Sequence, residues 1–231
     1  MPITIQTLTP GTGFTASCYI LTDEMTGQTA IIDPGDTDIE LEQLVASLDV
    51  RYILLTHRHY DHICGVARLK QLLPSAQVAI HALDACGLER AEDSLALFRG
   101  VNFTSSKADI LLQDGDELAL GGSVIHVLHT PGHTIGGACF MVEDRPALFE
   151  DNEQRVQTTK LSSGSVCGGT PLFSGDTLFC EGIGRLDLPT GDYEQMQASL
   201  QRLFALEGNF VVYPGHEKET TLSAERGRHI I

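Results

Sequence analysis

The sequence predicts an α/β (α+β) chain: two mixed β-sheets packed face to face, with helices on the outer faces. Three observations predict it. A rhythm of β-rich stretch followed by helix occurs twice along the 231 residues. Short apolar runs suited to buried strands alternate with segments whose apolar residues recur every three or four positions. No stretch has the composition of an interdomain linker, so one domain over 1–231 is expected.

In chain order, S-C-Y-I-L-T (17–22) and T-A-I-I-D (29–33) flank E-M-T-G-Q and predict a hairpin. D-P-G-D (33–36) breaks the second strand. Asp36 or Asp38 then caps a helix with Leu41, Leu44, Val45 and Leu48 on one face. R-Y-I-L-L-T (51–56) reads as a buried strand. Ile63, Val66, Leu69 and Leu73 predict a helix stopped by Pro74. V-A-I-H (78–81) is a strand, and a helical segment is expected over much of 83–98. Strands follow at D-I-L-L (109–112), S-V-I-H-V-L (123–128), A-C-F-M-V (138–142) and P-L-F-S (171–174). Asp192 with Gln195 forms a capping box for a helix whose inner stripe is Tyr193, Met196, Leu200, Leu203 and Phe204. N-F-V-V-Y (209–213) closes the pattern. The segment 144–170 is irregular, an insertion expected at the far edge as a partner-binding or oligomer feature.

Composition narrows the function. Net charge is −16, from 15 basic and 31 acidic residues, which disfavours nucleic acid and anionic membrane as partners. No apolar stretch approaches the ~20 residues that span a bilayer, and no secretory leader is recognisable, so a cytoplasmic location is expected. The six cysteines are scattered without a C-x-x-C and read as reduced, mostly buried thiols. Cys64 and Cys180 are included in that reading.

The chemistry concentrates in T-H-R-H-Y-D-H (56–62). His57, His59, Asp61 and His62 are four metal-ligating side chains within six positions, directly after a strand. Three later residues complete the set, each beside a glycine at a strand end: His133 in T-P-G-H-T, Asp176 in S-G-D-T and His216 in Y-P-G-H-E. Five His and two Asp are too many for one tetrahedral zinc and suit two metals sharing a carboxylate. A lone loop histidine is ordinarily a surface residue, and His81, His126, His129 and His229 are read that way.

T-H-R-H-Y-D-H, P-G-H-T, G-D-T-L-F and P-G-H-E, with D-P-G at 33–35, resemble in order the motifs of the metallo-β-lactamase superfamily. The resemblance covers nearly the whole chain and implies an αββα sandwich. It implies one metal on His57, His59 and His133, a second on Asp61, His62 and His216, and Asp176 between them. It also implies catalytic roles for Asp61 and Asp176. Two divalent ions are expected, zinc first, with iron or manganese as alternatives. Such a pair lowers the pKa of a bridging water and polarises a carbonyl.

G-D-T-L-F-C-E-G-I-G-R-L-D-L-P-T-G-D (175–192) is similar to the glyoxalase II branch, which implies hydrolysis of a small-molecule thioester. Arg185 falls at a substrate-contact position of that branch, although a salt bridge to Asp187 or Asp192 is an equal expectation. The chain ends fifteen residues after His216 (231 − 216), so the helical domain of full-length glyoxalase II is not expected. The resemblance is therefore closest to short hydroxyacylglutathione hydrolase-like enzymes. Carrier-bound acyl chains of polyketide assembly are an alternative substrate. The rival activity is persulfide dioxygenation with one iron on His57, His133 and Asp176, and the non-enzymatic rival is a metalloprotein scaffold.

Overall fold

The computed structural model describes residues 3–144 and 169–228, apart from positions 12 and 14. The insertion expected at 144–170 lies almost wholly outside the described residues, as do His229 and Cys167. β-Branched and aromatic runs become strands, because such side chains fit a pleated, buried surface. The first sheet contains, in spatial order, β1 (Ile3–Leu8), β2 (Cys18–Asp23), β3 (Gln28–Ile32), β4 (Asp49–Leu55), β5 (Gln77–His81) and β6 (Ile110–Leu112). β1, β2 and β3 pair antiparallel, while β3 to β6 are parallel. The second sheet contains β7 (Glu117–Leu120), β8 (Ser123–His129), β9 (Ala138–Asp144), β10 (Thr170–Gly175), β11 (Phe210–Pro214) and β12 (Thr220–Thr221), also neighbours in that order. All its pairs are antiparallel except β10 with β11.

Parallel neighbours need crossovers, and helices supply most of them. α1 (Ile39–Val45) joins β3 to β4, α2 (Tyr60–Ile63) and α3 (Val66–Leu72) join β4 to β5, and α6 (Tyr193–Phe204) joins β10 to β11. α4 (Cys86–Glu89), α5 (Ala96–Arg99) and α7 (Leu222–Arg226) are single turns or little more. Three apolar clusters define four layers. One fills the space between the sheets, around Leu21, Leu54, Phe140, Phe173 and Tyr213. A second lies between the first sheet and α1 and α3, through Leu41, Val45, Val66 and Leu69. A third lies between the second sheet and α6 and α7, through Met196, Leu200, Leu203 and Leu222. This is the expected αββα sandwich.

Some expectations need correction. The helix over much of 83–98 is broken into a 3-10 turn and two short helices, with Leu95 in the left-handed region at φ 66°. The helix after the histidine cluster is likewise interrupted at Cys64 and Gly65, where the Gly65 amide donates to the Pro34 carbonyl instead. Asp38, rather than Asp36, caps α1. Tyr193 is exposed and leaves the buried stripe of α6, where Ser199 joins it. His81 is buried and stacks on His129 with ring centroids 4.1 Å apart, so it is no surface residue. Cys18 and Cys139 are buried thiols, whereas Cys64, Cys86 and Cys180 are only half-buried.

Candidate metal centre

The four sequence motifs meet at one edge of the sandwich, because β4, β8, β10 and β11 all end there. T-H-R-H-Y-D-H leaves β4, and α2 begins at Tyr60, so a single helical turn carries Asp61 and His62 beside His57 and His59. His133, Asp176 and His216 follow β8, β10 and β11 respectively. Backbone bonds lock these loops together. The Ala138 amide donates to the Thr56 carbonyl, Gly215 to Gly175, Ser17 to Gly215, and Ala16 to Asp61. Below them the buried Tyr19 hydroxyl donates to the Pro214 carbonyl at 2.6 Å. The Y-P-G-H loop can approach so closely because position 215 is glycine. A Cβ there would stand 2.3 Å from Asp176 Oδ1 and 2.7 Å from His62 Cε1.

All seven expected ligands are brought together. His57, His59 and His133 form one group that could hold a metal ion, and Asp61, His62 and His216 form another. His57 Nε2 lies 3.1 Å from His59 Nδ1, which lies 2.9 Å from His133 Nε2. In the second group His216 Nε2 is 3.4 Å from Asp61 Oδ2. Asp176 stands between them: Oδ1 is 3.3 Å from His62 Nε2, and Oδ2 is 3.4 Å from His133 Nε2 and 3.8 Å from His216 Nε2.

These separations and chemistries fit a metal. Donors ~2.0–2.1 Å from a tetrahedral zinc stand about 3.3 Å from one another. His62 Nε2 and Asp176 Oδ1 are buried and face each other at 3.3 Å without a well-aligned hydrogen bond, an arrangement that a cation between them relieves. The donor atoms are also selected. The His133 Nδ1–H donates to the Arg185 carbonyl at 2.7 Å, which leaves Nε2 with its lone pair. His62 Nδ1 faces Asp33 Oδ2 at 2.9 Å with the same consequence. The Thr56 hydroxyl donates to Asp33 at 2.6 Å, so at 3.1 Å it accepts from His57 Nδ1, and His57 too presents Nε2.

Electrostatics point the same way. Burial pushes His57 well below its ordinary pKa and, with His133 nearby, lowers His59 to about 3; burial also lowers His133. Neutral imidazoles are the metal-binding form. Burial opposes ionisation of Asp176 and Asp61, but the surrounding histidines win and both carboxyls fall below their usual range. His62 goes the other way. Burial lowers it, yet Asp176 and Asp33 on either side raise it well above normal. Asp176 and Asp33 thus stabilise positive charge at His62, which a metal cation supplies once the proton on Nε2 leaves.

Arg185 reaches the site through its carbonyl. Its side chain is exposed and pairs with Asp187 through two bonds of 2.7 Å. Sequence reasoning noted D-P-G but missed Asp33 as the support of His62 and Thr56. Only the structure reveals the role, in a non-glycine residue held at φ 51° just after β3, a conformation kept where a side chain must be aimed. Asp84 was missed altogether, since a lone Asp after a strand has no sequence signature.

An αββα sandwich with a His- and Asp-lined pocket at its strand ends defines a class of metal-dependent enzymes. The chain belongs to the metallo-beta-lactamase superfamily, whose family model matches residues 11–149. It is 31% identical over 221 residues to the hydroxyacylglutathione hydrolase GloC of Haemophilus influenzae, covering 94% of this chain and 92% of that protein. It is 31% identical to a probable metallo-hydrolase of Streptococcus pyogenes, over 90% of this chain and 81% of the relative. Among solved structures, a B3 metallo-beta-lactamase superposes with a TM-score of 0.76 at 28% identity, covering 96% of both chains. A protein in a di-iron-bound form gives 0.74 at 30% identity, over 97% and 98%. ETHE1 from Myxococcus xanthus gives 0.68 at 27%, over 96% of this chain and 81% of its own. Family and relatives point to a metal-dependent hydrolase with a small-molecule substrate and divalent metals. Among the described residues, no helix is long and apolar enough to cross a membrane.

Proposed function

We propose that the chain hydrolyses a thioester, using two divalent metal ions held by the seven ligands. The observation that carries the two-metal reading is the place of Asp176, within 3.8 Å of His62, His133 and His216 at once. His57, His59 and His133 would hold one ion, Asp61, His62 and His216 the other, and Asp176 both. When bound, such ions supply Lewis acidity to a carbonyl oxygen and acidify water.

The chain's own residues do the rest. Asp33 and the Arg185 carbonyl fix the rings of His62 and His133. Asp61 and Asp176, ionised at neutral pH, accept hydrogen bonds from the attacking water and aim it at the carbonyl carbon. Water adds there, the C–S bond breaks, and the products are a carboxylate, a thiol and one proton. A thiolate leaves with a pKa of ~8.5 and needs little acid assistance. That suits a ligand set whose carboxyls are ionised and offer no proton, whereas an amine leaving group needs one. The hydroxyacylglutathione hydrolase relative supports the same choice of substrate class. Arg185, weakly held to Asp187 in solvent, is available to pair with a substrate carboxylate.

The test is turnover of S-D-lactoylglutathione, acyl-CoA and carrier-bound acyl thioesters after loading with zinc, iron or manganese. Cleavage of one class is expected, and no cleavage with any metal sinks the reading. A single iron with oxygen uptake on glutathione persulfide would establish the dioxygenase instead. Asp61 and His216, held 3.4 Å apart beside Asp176, favour the two-metal hydrolase over it.

A further inference from the structure

We propose that Asp84 is the positioning residue of the three-histidine group, clamping the His57–His59 loop of one sheet against the His133 loop of the other. The proposal rests on the two-metal reading above. Asp84 ends a 3-10 turn after β5 and is fully buried. Its oxygens gather donors from both ligand loops. Oδ2 accepts from the Thr134 hydroxyl at 2.6 Å and from the Arg58 amide at 3.2 Å, and Oδ1 accepts from the Gly136 amide at 3.1 Å. Arg58 lies between His57 and His59. Thr134 and Gly136 follow His133 by one and three positions. Each bond thus fixes backbone or side chain within a few atoms of a ligand.

A carboxylate is required here, and a polar group of the same shape does not suffice. Arg58 is buried, and its Nε has no hydrogen-bond partner but stands 3.7 Å from Asp84 Oδ1. The rest of its guanidinium is committed, donating to Thr190 Oγ1 at 2.8 Å and to the Pro189 carbonyl at 3.4 Å. Asp84 therefore offsets a buried charge while accepting three hydrogen bonds. An asparagine keeps one acceptor oxygen, turns an NH2 toward one of the donors, and strands the guanidinium. The contact is tight: a Cβ on Gly136 would lie 2.6 Å from Asp84 Cγ. Asp33 supports His62 and His57, and Asp84 sets the distance from His57 and His59 to His133.

The experiment is zinc binding in competition with a chelator, for the wild type, Asp84→Asn and Thr134→Val, with melting temperatures recorded alongside. Zinc-edge anomalous scattering shows which ion is lost at limiting zinc. In Asp84→Asn one zinc should weaken about 10–100-fold, the range for groups that orient metal ligands. It should be the ion on His57, His59 and His133, and the other should keep its wild-type affinity. Thr134→Val, which loses one bond and no charge, should weaken the same ion by less. Equal loss of both ions in step with melting temperature marks a merely structural role and overturns the proposal. So do unchanged affinities. If Asp84→Asn does not fold, Thr134→Val decides by the same criteria. A wild type that binds only one zinc refutes the two-metal reading, and the shift of that single ion still decides the role of Asp84.

Discussion

The two sheets supply the proposed ligands in opposite ways. The first delivers His57, His59, Asp61 and His62 from one stretch after β4, where an extended turn followed by a helical turn suffices to aim them. The second delivers His133, Asp176 and His216 singly, from loops after β8, β10 and β11, and these meet only if three strands hold register. Supports differ accordingly. Asp33 works within the first sheet, bonding Thr56 and His62. Loops of the second sheet are tied across to the first, through Ala138 to Thr56 and through Pro214 to Tyr19. Local chemistry builds half of the site, and global packing builds the other half.

The strongest way to break this arrangement is at the residue where the halves meet. Asp176→Asn should lower turnover by more than the ~10–100-fold typical of groups behind a metal, and should reduce the ions held per chain. Turnover and elemental analysis check it together. Asp33→Asn attacks the first sheet's support alone. It should weaken the zinc on Asp61, His62 and His216 about 10–100-fold and, through Thr56 and His57, the other ion by less, in the same chelator competition. Tyr19→Phe attacks the tie from the other sheet. It leaves the buried Pro214 carbonyl without its donor and should cost ~1 kcal/mol, a fall of about 2–4 °C in melting temperature. The smallest effect belongs to Arg185→Ala. Its partner Asp187 is exposed, so the melting temperature should not move, and a rise in KM at unchanged kcat is expected.

The same contrast explains what the sequence could reveal. The four clustered candidate ligands and the glycine-flanked His133, Asp176 and His216 are readable as candidates because their residue types and turn context are local properties, and the structure brings all seven side chains together. The layer order followed from two rounds of strand and helix periodicity. Asp33 and Asp84 were not readable as supports, because an acceptor's role depends on donors 23 to 52 residues away, as with Thr56 for Asp33 and Gly136 for Asp84. The break of the expected helix over 83–98 has the same origin. Gly87 packs on Arg58, where a Cβ would lie 2.4 Å from the arginine's own Cβ, so a tertiary contact sets the local path. Arg185 shows the converse: its position suggests a side-chain role, but the side chain pairs with Asp187 and the backbone carbonyl is what touches His133.

The central claim is that two ligand groups joined through Asp176 hold two metal ions. Elemental analysis of the purified, metal-loaded protein tests it most directly. Two ions per chain are predicted. A saturating value of one contradicts the account.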